Sequence, residues 1–212
     1  MLDHLRGFLT ALLTPLARAL LRAGVSPDAV TVTGTLVVVV TALWAFPTGH
    51  LLLGAVLIGA FALTDALDGT MARLSGRQGP WGAFLDSTLD RLADGAIFAG
   101  VLLWAVGRDD EPLALVALAC LVLGSVVPYA RARAEGLGMT AAVGIAERAD
   151  RLVVALVAVG LVGLGLPPVV LTVVLGLLAV AAAVTVGQRM ATVHRQARAA
   201  RPAGPVPPAG TA

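Results

Sequence analysis

Apolar residues in this chain come in long runs instead of alternating with polar ones. Six stretches, approximately 28–46, 51–73, 82–106, 113–134, 148–166 and 168–190, are each long enough to cross about 30 Å of hydrocarbon as a helix. Turn chemistry separates them: Pro47 to Gly49, Gly76 to Pro80, Arg108 to Pro112, Gly136 to Gly144, and the pair Pro167 and Pro168. Hydrocarbon offers the backbone no hydrogen-bond partner, so runs of this length joined by short breaks predict helices. The expected fold is an all-α integral membrane protein with six transmembrane helices.

The two ends differ from this middle. Over residues 2–22, Leu2, Leu5, Leu9, Leu12, Leu13, Leu16 and Leu20 recur near helical spacing, with Asp3, His4, Arg6, Arg18 and Arg22 between them. That pattern predicts an N-terminal interfacial amphipathic helix over 1–24. A secretory signal peptide is the rival reading, weakened by the early Asp3 and His4 and by basic residues at the wrong end. Residues 25–192 form the expected six-helix domain. The Pro/Ala/Gly-rich stretch that closes the chain has almost nothing to bury, and residues 193–212 are expected to be a disordered tail.

Composition agrees with the pattern. Hydrophobic residues make up 58% and charged residues 13%, and the mean hydropathy is +0.91. A soluble domain carries about 25% charged residues. A net charge of +2 is no argument for a nucleic-acid partner, and none is expected. The single Cys120 lies in an apolar run, excludes an intrachain disulfide, and is expected to pack as a small hydrophobe.

Where the arginines fall is more informative than their sum. Arg6, Arg18 and Arg22 precede the first span, and Arg73 and Arg77 flank the loop after the second. Arg131, Arg133, Arg148 and Arg151 surround the loop after the fourth, and Arg189, Arg195, Arg198 and Arg201 close the chain. With six spans these regions share one side, which the positive-inside rule makes cytoplasmic, termini included. The expected location is the cell (inner or plasma) membrane.

Acidic residues inside apolar spans are costly and point to function. Asp65 and Asp68 are three apart at the end of the second span, and Asp86 and Asp90 are four apart at the start of the third, so each pair shares a helix face. A loop of about eight residues makes the two spans antiparallel neighbours, and the four carboxylates can then converge just inside the cytoplasmic interface. Converging negative charges need a positive partner. A hard divalent cation suits an all-oxygen donor set, Mg²⁺ first and Mn²⁺ second, with room for two ions sharing a diphosphate. His4, His50 and His194 are scattered and form no zinc set. Two other readings stay open: structural ion pairs with Arg73 and Arg91, and a proton or cation pathway through the membrane.

Gly69 and Arg73 follow the first acidic pair. Gly69 would let a nucleotide approach the helix, or let another helix pack tightly. Arg73 could bind phosphate or anchor the interface. Taken together, Asp65, Asp68, Gly69, Ala72, Arg73, Gly82, Asp86 and Asp90 match the signature of the CDP-alcohol phosphotransferase family in type and spacing. The resemblance extends from Pro27 to about Arg189.

That resemblance implies displacement of CMP from a CDP-linked lipid such as CDP-diacylglycerol by an alcohol. It implies metal ligation by Asp65, Asp68, Asp86 and Asp90, with Asp90 also the general base for the acceptor hydroxyl. It assigns CDP contacts to Gly69, Arg73, Gly79 and the stretch Asp28, Ala29, Val30 and Thr31, although Thr31 could be only a capping or packing residue. Asp94 continues the acidic face one turn deeper, as a second-shell partner for Arg91 or for another span, outside the metal set. Arg131, Arg133, Arg151 and Arg189 resemble the acceptor-phosphate site of the subgroup that uses inositol 1-phosphate; each alone could be a topology anchor. Some members of that subgroup carry lysine where this chain has Arg131. Glycerol 3-phosphate is the alternative acceptor, and a homodimer is expected from the family alone.

Overall fold

The computed structural model describes residues 13–61, 64–76, 79–145 and 148–199. Asp3, His4, Arg6, Arg77, Glu147 and Arg201 lie outside this set, as do the first half of the expected interfacial helix and residues 200–212. Helices are the only regular elements among the described residues: α1 over residues 13–22, α2 (Pro27–Ala45), α3 (Leu51–Phe61), α4 (Thr64–Ser75), α5 (Pro80–Val106), α6 (Glu111–Glu135), α7 (Arg148–Gly163) and α8 (Val169–Ala199).

Local chemistry sets several of these boundaries. Ser26 caps α2 by accepting from the Ala29 amide at 3.2 Å, ahead of Pro27 and with Asp28 in the first turn. Asp110 caps α6 in the same way through the Leu113 amide at 3.2 Å, ahead of Pro112. Helix α8 runs to Ala199, several residues past the expected start of the tail at 193. The Gln, Ala and Arg residues of 191–199 are good helix formers, and the first proline beyond them is Pro202.

Three described helices, α2, α6 and α8, are long and apolar enough to cross a membrane. The second expected span, 51–73, is described as α3 and α4 on either side of residues 62 and 63. The third, α5, is 27 residues long but carries Asp86, Asp90, Arg91 and Asp94. The described part of the fifth, α7, has 16 residues. Large apolar side chains such as Leu36, Val40, Leu115, Val157, Val173 and Leu177 are exposed on the outward faces of these helices, as a lipid-facing surface requires.

Packing proceeds around a ring: α2 on α5, α5 on α6, α6 on α8, α8 on α7, α7 on α3, and α3 back on α2. The core inside is mainly aliphatic, with Val101, Leu113, Val159, Leu171 and Leu175 fully buried beside the ring of Phe46. Cys120 is buried there, its thiol against the Leu175 carbonyl at 3.3 Å, as its apolar setting predicted. Helix α4 packs mainly on α2, and the described part of α1 covers it: Leu13, Ala17, Leu20 and Leu21 form a second apolar cluster with Leu67 and Met71. The spans expected to be direct neighbours, the second and the third, instead flank α2.

Without a hydrophobic drive between helices in lipid, close approach depends on small residues. A Cβ on Gly100 would lie 2.3 Å from the Ala42 carbonyl oxygen, where α5 crosses α2. One on Gly163 would lie 2.4 Å from the Leu52 amide, where α7 crosses α3. Both obstacles are backbone and cannot rotate away. Gly100→Ala is therefore expected to destabilise the fold by about 1–3 kcal/mol. Gly187→Ala, with no atom within 4 Å, should leave the unfolding temperature unchanged or raised. Thermal unfolding of the two variants in the same detergent checks the contrast.

Candidate active site

Helix α2 supplies the wall between the two acidic helices. Asp68 of α4 is buried, and the hydroxyl of Thr31 on α2 donates to its Oδ2 at 2.6 Å. The same hydroxyl also lies 3.1 Å from the Pro27 carbonyl. Thr31 thus does more than cap its own helix: it fixes the carboxylate. Asp68 and Asp86 line one open cavity of about 320 Å³, together with Asp28, Thr31, Gly69, Arg73 and Gly79. The side chain of Asp65, in the first turn of α4, lies outside the described set.

The glycines of this cavity are not explained by packing. A Cβ on Gly69 would meet only Arg73 Nη1, at 3.7 Å, and one on Gly79 or Gly82 would meet nothing within 4 Å. Added side chains there would occupy the cavity and would not strain the protein. Arg73 is exposed and donates from Nη2 to Thr70 Oγ1 at 2.9 Å, which holds it at the rim. Ala29 and Val30 do not line the cavity. Ala29 is exposed, and Val30 packs against the α1–α4 cluster. Sequence reasoning passed over Trp81, whose indole Nε1 donates to Asp28 Oδ2 at 3.0 Å and ties the start of α5 to the start of α2 across the rim.

Asp90 faces elsewhere. It lies at the polar end of a mainly apolar cavity of about 230 Å³ whose walls include Val38, Ile58, Ile97 and Leu156. Its Oδ1 lies 2.9 Å from Arg148 Nη2, and its Oδ2 lies 3.5 Å from Arg91 Nη2. Asp94, buried one turn deeper, receives Arg148 in a bidentate grip: Nε to both oxygens at 3.1 Å and Nη2 to Oδ1 at 2.8 Å. Arg91 Nη2 is 3.7 Å from Asp94 Oδ2, as a partner for Asp94 was expected. Arg73 and Arg91 were the counter-charges the sequence offered; among the described residues Arg91 and Arg148 meet Asp90 and Asp94, Arg148 at the shorter distances, and Arg73 forms no ion pair.

A third cavity, about 470 Å³, is lined by Arg91, Arg131, Arg148, Arg151 and Arg189. Arg133 is not among its walls. It is two residues from Arg131 on α6, which turns it to the other side of the helix, where it is exposed. Arg131 forms an exposed ion pair with Glu135 at 2.8 Å, a contact of little stabilising value. Arg151 is buried, and among the described residues the Nε groups of Arg151 and Arg91 are buried without a hydrogen-bond partner. Arg189 donates from Nε to the Val143 carbonyl at 2.9 Å and from Nη1 to the Val127 carbonyl. It therefore ties the loop over 136–145 to α6. Gln196 fastens the same loop to α8 by receiving the Thr140 amide at 3.0 Å and donating to its carbonyl at 2.6 Å.

No group of three or more metal-capable side chains is gathered among the described residues. Asp68 and Asp86 present carboxylate oxygens to one cavity, and no histidine or cysteine stands beside them. That donor chemistry fits a hard cation.

The family model for CDP-alcohol phosphatidyltransferase matches residues 24–148, more than half of the chain, with Asp65, Asp68, Asp86, Asp90 and Asp94 inside the match. The chain belongs to the CDP-alcohol phosphatidyltransferase family. It is 49% identical over 200 residues to the phosphatidylinositol phosphate synthase of Streptomyces avermitilis, covering 91% of this chain and 82% of that one. It is 48% identical over 203 residues to the synthase of the same name from Cutibacterium acnes, covering 92% and 98%. Among solved structures, the Mycobacterium tuberculosis phosphatidylinositol phosphate synthase with CDP-DAG bound superposes with a TM-score of 0.83 at 44% identity, covering 86% of this chain and 94% of that one. The same mycobacterial enzyme in complex with manganese and citrate gives 0.83 at 44% identity, with 86% and 88% covered.

For this phosphatidyltransferase, the open space around Gly69 generates a specific expectation. Gly69→Ala should leave the unfolding temperature unchanged and weaken saturation by the CDP-linked lipid by roughly 10-fold, since a small misplacement in a binding site is expensive. CMP release against donor concentration, beside a melting curve, reads both.

Proposed function

We propose that the chain transfers the phosphatidyl group of CDP-diacylglycerol to 1D-myo-inositol 3-phosphate, also called L-myo-inositol 1-phosphate, with release of CMP in phospholipid biosynthesis. The observation that carries the acceptor is the arginine-lined cavity beside Asp90. A buried guanidinium with an unpartnered Nε, as at Arg151, calls for an anionic acceptor of hydrogen bonds. A phosphorylated alcohol supplies one, and the relatives named above carry the name phosphatidylinositol phosphate synthase, with which an inositol phosphate acceptor is consistent.

The residues divide the work. Asp28, Thr31, Gly69, Arg73 and Gly79 surround the space for the CDP moiety, with Arg73 able to pair with a phosphate oxygen. Arg131, Arg151 and Arg189 hold the acceptor's phosphate, and Arg133 gives charge to the approach. Asp90 takes the proton of the acceptor hydroxyl. The oxygen so exposed attacks the phosphorus that carries diacylglycerol, and the bond from that phosphorus to CMP breaks. Asp65, Asp68, Asp86 and Asp90 would hold divalent cations, two Mg²⁺ ions with Mn²⁺ as substitute, whose charge neutralises the diphosphate as negative charge grows on the leaving group.

We read the chain as spanning the cell membrane six times, α3 with α4 serving as one span. Both termini and the active site would face the cytoplasm, and a homodimer would be the working unit. The lipid would enter sideways between helices and the acceptor from the water.

The test is CMP release by purified protein given CDP-diacylglycerol, Mg²⁺ and a panel of acceptors. Release with inositol phosphate and not with free inositol is expected; release with glycerol 3-phosphate alone would overturn the acceptor, and release with none would overturn the enzyme. Asp90→Asn should abolish turnover in a folded protein. Chelation with EDTA should stop the reaction, and added Mg²⁺ or Mn²⁺ should restore it. Arg151→Gln should raise KM for the phosphorylated acceptor about 10-fold or more, the scale of one lost charge-assisted bond.

A further inference from the structure

We propose that Asp94 and Arg148 form a positioning device that aims Asp90. The inference rests on the reading of Asp90 as the proton acceptor. Asp94 lines none of the three cavities described and is 5% exposed, so it acts through its partner. Each of its contacts with Arg148 comes from the same fork, at 2.8–3.1 Å, and the Nη2 atom of that fork also reaches Asp90 Oδ1 at 2.9 Å. One planar group therefore grips two carboxylates a single helical turn apart on α5. Arg148 cannot leave Asp94 without losing its alignment on Asp90.

The location of Arg148 strengthens the assignment. It opens the described part of α7, at the N-terminal end of the helix, where a cation faces the positive end of the helix dipole. The two carboxylates compensate this placement, and Arg91 meets both of them from their own helix. Arg148 also borders both the Asp90 cavity and the arginine-lined cavity. The same side chain thus sets the carboxylate's direction and forms part of the wall behind the acceptor. A lysine could supply the charge but not the planar fork that grips Asp94 through two nitrogens while it reaches Asp90.

The experiment compares wild type, Asp94→Asn, Arg148→Lys and the double variant, purified full-length in detergent. With both substrates and Mg²⁺ near saturation, each single variant should lose kcat by roughly 10–100-fold. The KM for CDP-diacylglycerol should move by no more than about 3-fold, because the CDP cavity lies elsewhere; the split follows from losing an interaction that matters to the chemical step. The double variant should be no worse than the poorer single one, as residues acting as one unit are non-additive. As a readout apart from turnover, Mn²⁺ binding followed by electron paramagnetic resonance without substrate should weaken in both single variants, and stay normal in Arg108→Gln.

Wild-type kcat and Mn²⁺ affinity in folded Asp94→Asn would overturn the device, as would losses that multiply in the double variant. Should Asp94→Asn fail to fold, Arg148→Lys decides: a folded protein with unchanged turnover overturns the proposal, and a selective loss of kcat supports it. An active wild type with inactive Asp90→Asn and untouched Asp94→Asn would strike this inference alone. A wild type that releases no CMP would strike the functional reading itself.

Discussion

A charge held among apolar helices must be met by an opposite charge or a hydrogen-bond donor, because the alternative is a desolvated ion costing several kcal/mol. The bundle is organised around satisfying that demand. Asp94 is met by Arg148 and Arg91, Asp90 by the same two arginines, and Asp68 by the Thr31 hydroxyl. Each contact joins one helix to another or turns a carboxylate in a definite direction. Arg148 binds α7 to α5, and Thr31 binds α2 to α4. The packing of the ring and the aim of the acidic groups are therefore one problem with one solution.

The apolar part of the fold serves that arrangement. Gly100 lets α5 approach α2 at backbone distance, which brings Asp86 to the far side of the cavity that Thr31 and Asp68 border. Gly163 does the same for α7 against α3, at the end of α7 opposite Arg148. The described α4 carries Asp68, Thr70 and Arg73 among few large apolar residues. Leu67 and Met71 bury their side chains against α1, and Asp68 follows Leu67 directly in sequence. A segment that reads as a membrane-surface helix thus also braces the acidic helix.

Much of this was legible in the sequence, and the reasons are physical. Run lengths gave the helix positions, because hydrocarbon thickness and rise per residue leave little freedom. The four-residue spacings put Asp86, Asp90 and Asp94 one turn apart along one side of α5, although the drift of the helix lets Asp86 and Asp90 line different cavities. Partners across space were harder to read. A short loop argued that the second and third spans touch, yet α2 stands between them, since loop length limits distance without choosing a neighbour. Arg133 shared a cluster in sequence with Arg131, but two residues along a helix turn a side chain away. Arg148 stood in the same list of basic residues as many surface anchors, and nothing local distinguished it. Its role depends on Asp94, 54 positions away.

The division of the carboxylates between two surroundings bears on the chemistry. Asp68 and Asp86 border the open, glycine-lined space, where a carboxylate is free to meet a cation and a diphosphate. Asp90 borders apolar walls and two guanidinium groups. A base must hold its direction while a proton moves to it, and a group gripped from its own helix and from α7 is better placed to do so than one open to water. If Arg131, Arg151 and Arg189 hold the acceptor's phosphate as proposed, they need only bring a hydroxyl toward a carboxylate that is already oriented. Arg148 lines both cavities, so under that reading the position of the acceptor and the direction of the base depend on a common side chain. The proposal thus makes the arginine cavity part of the reaction centre, beyond any role as an anchor at the membrane surface.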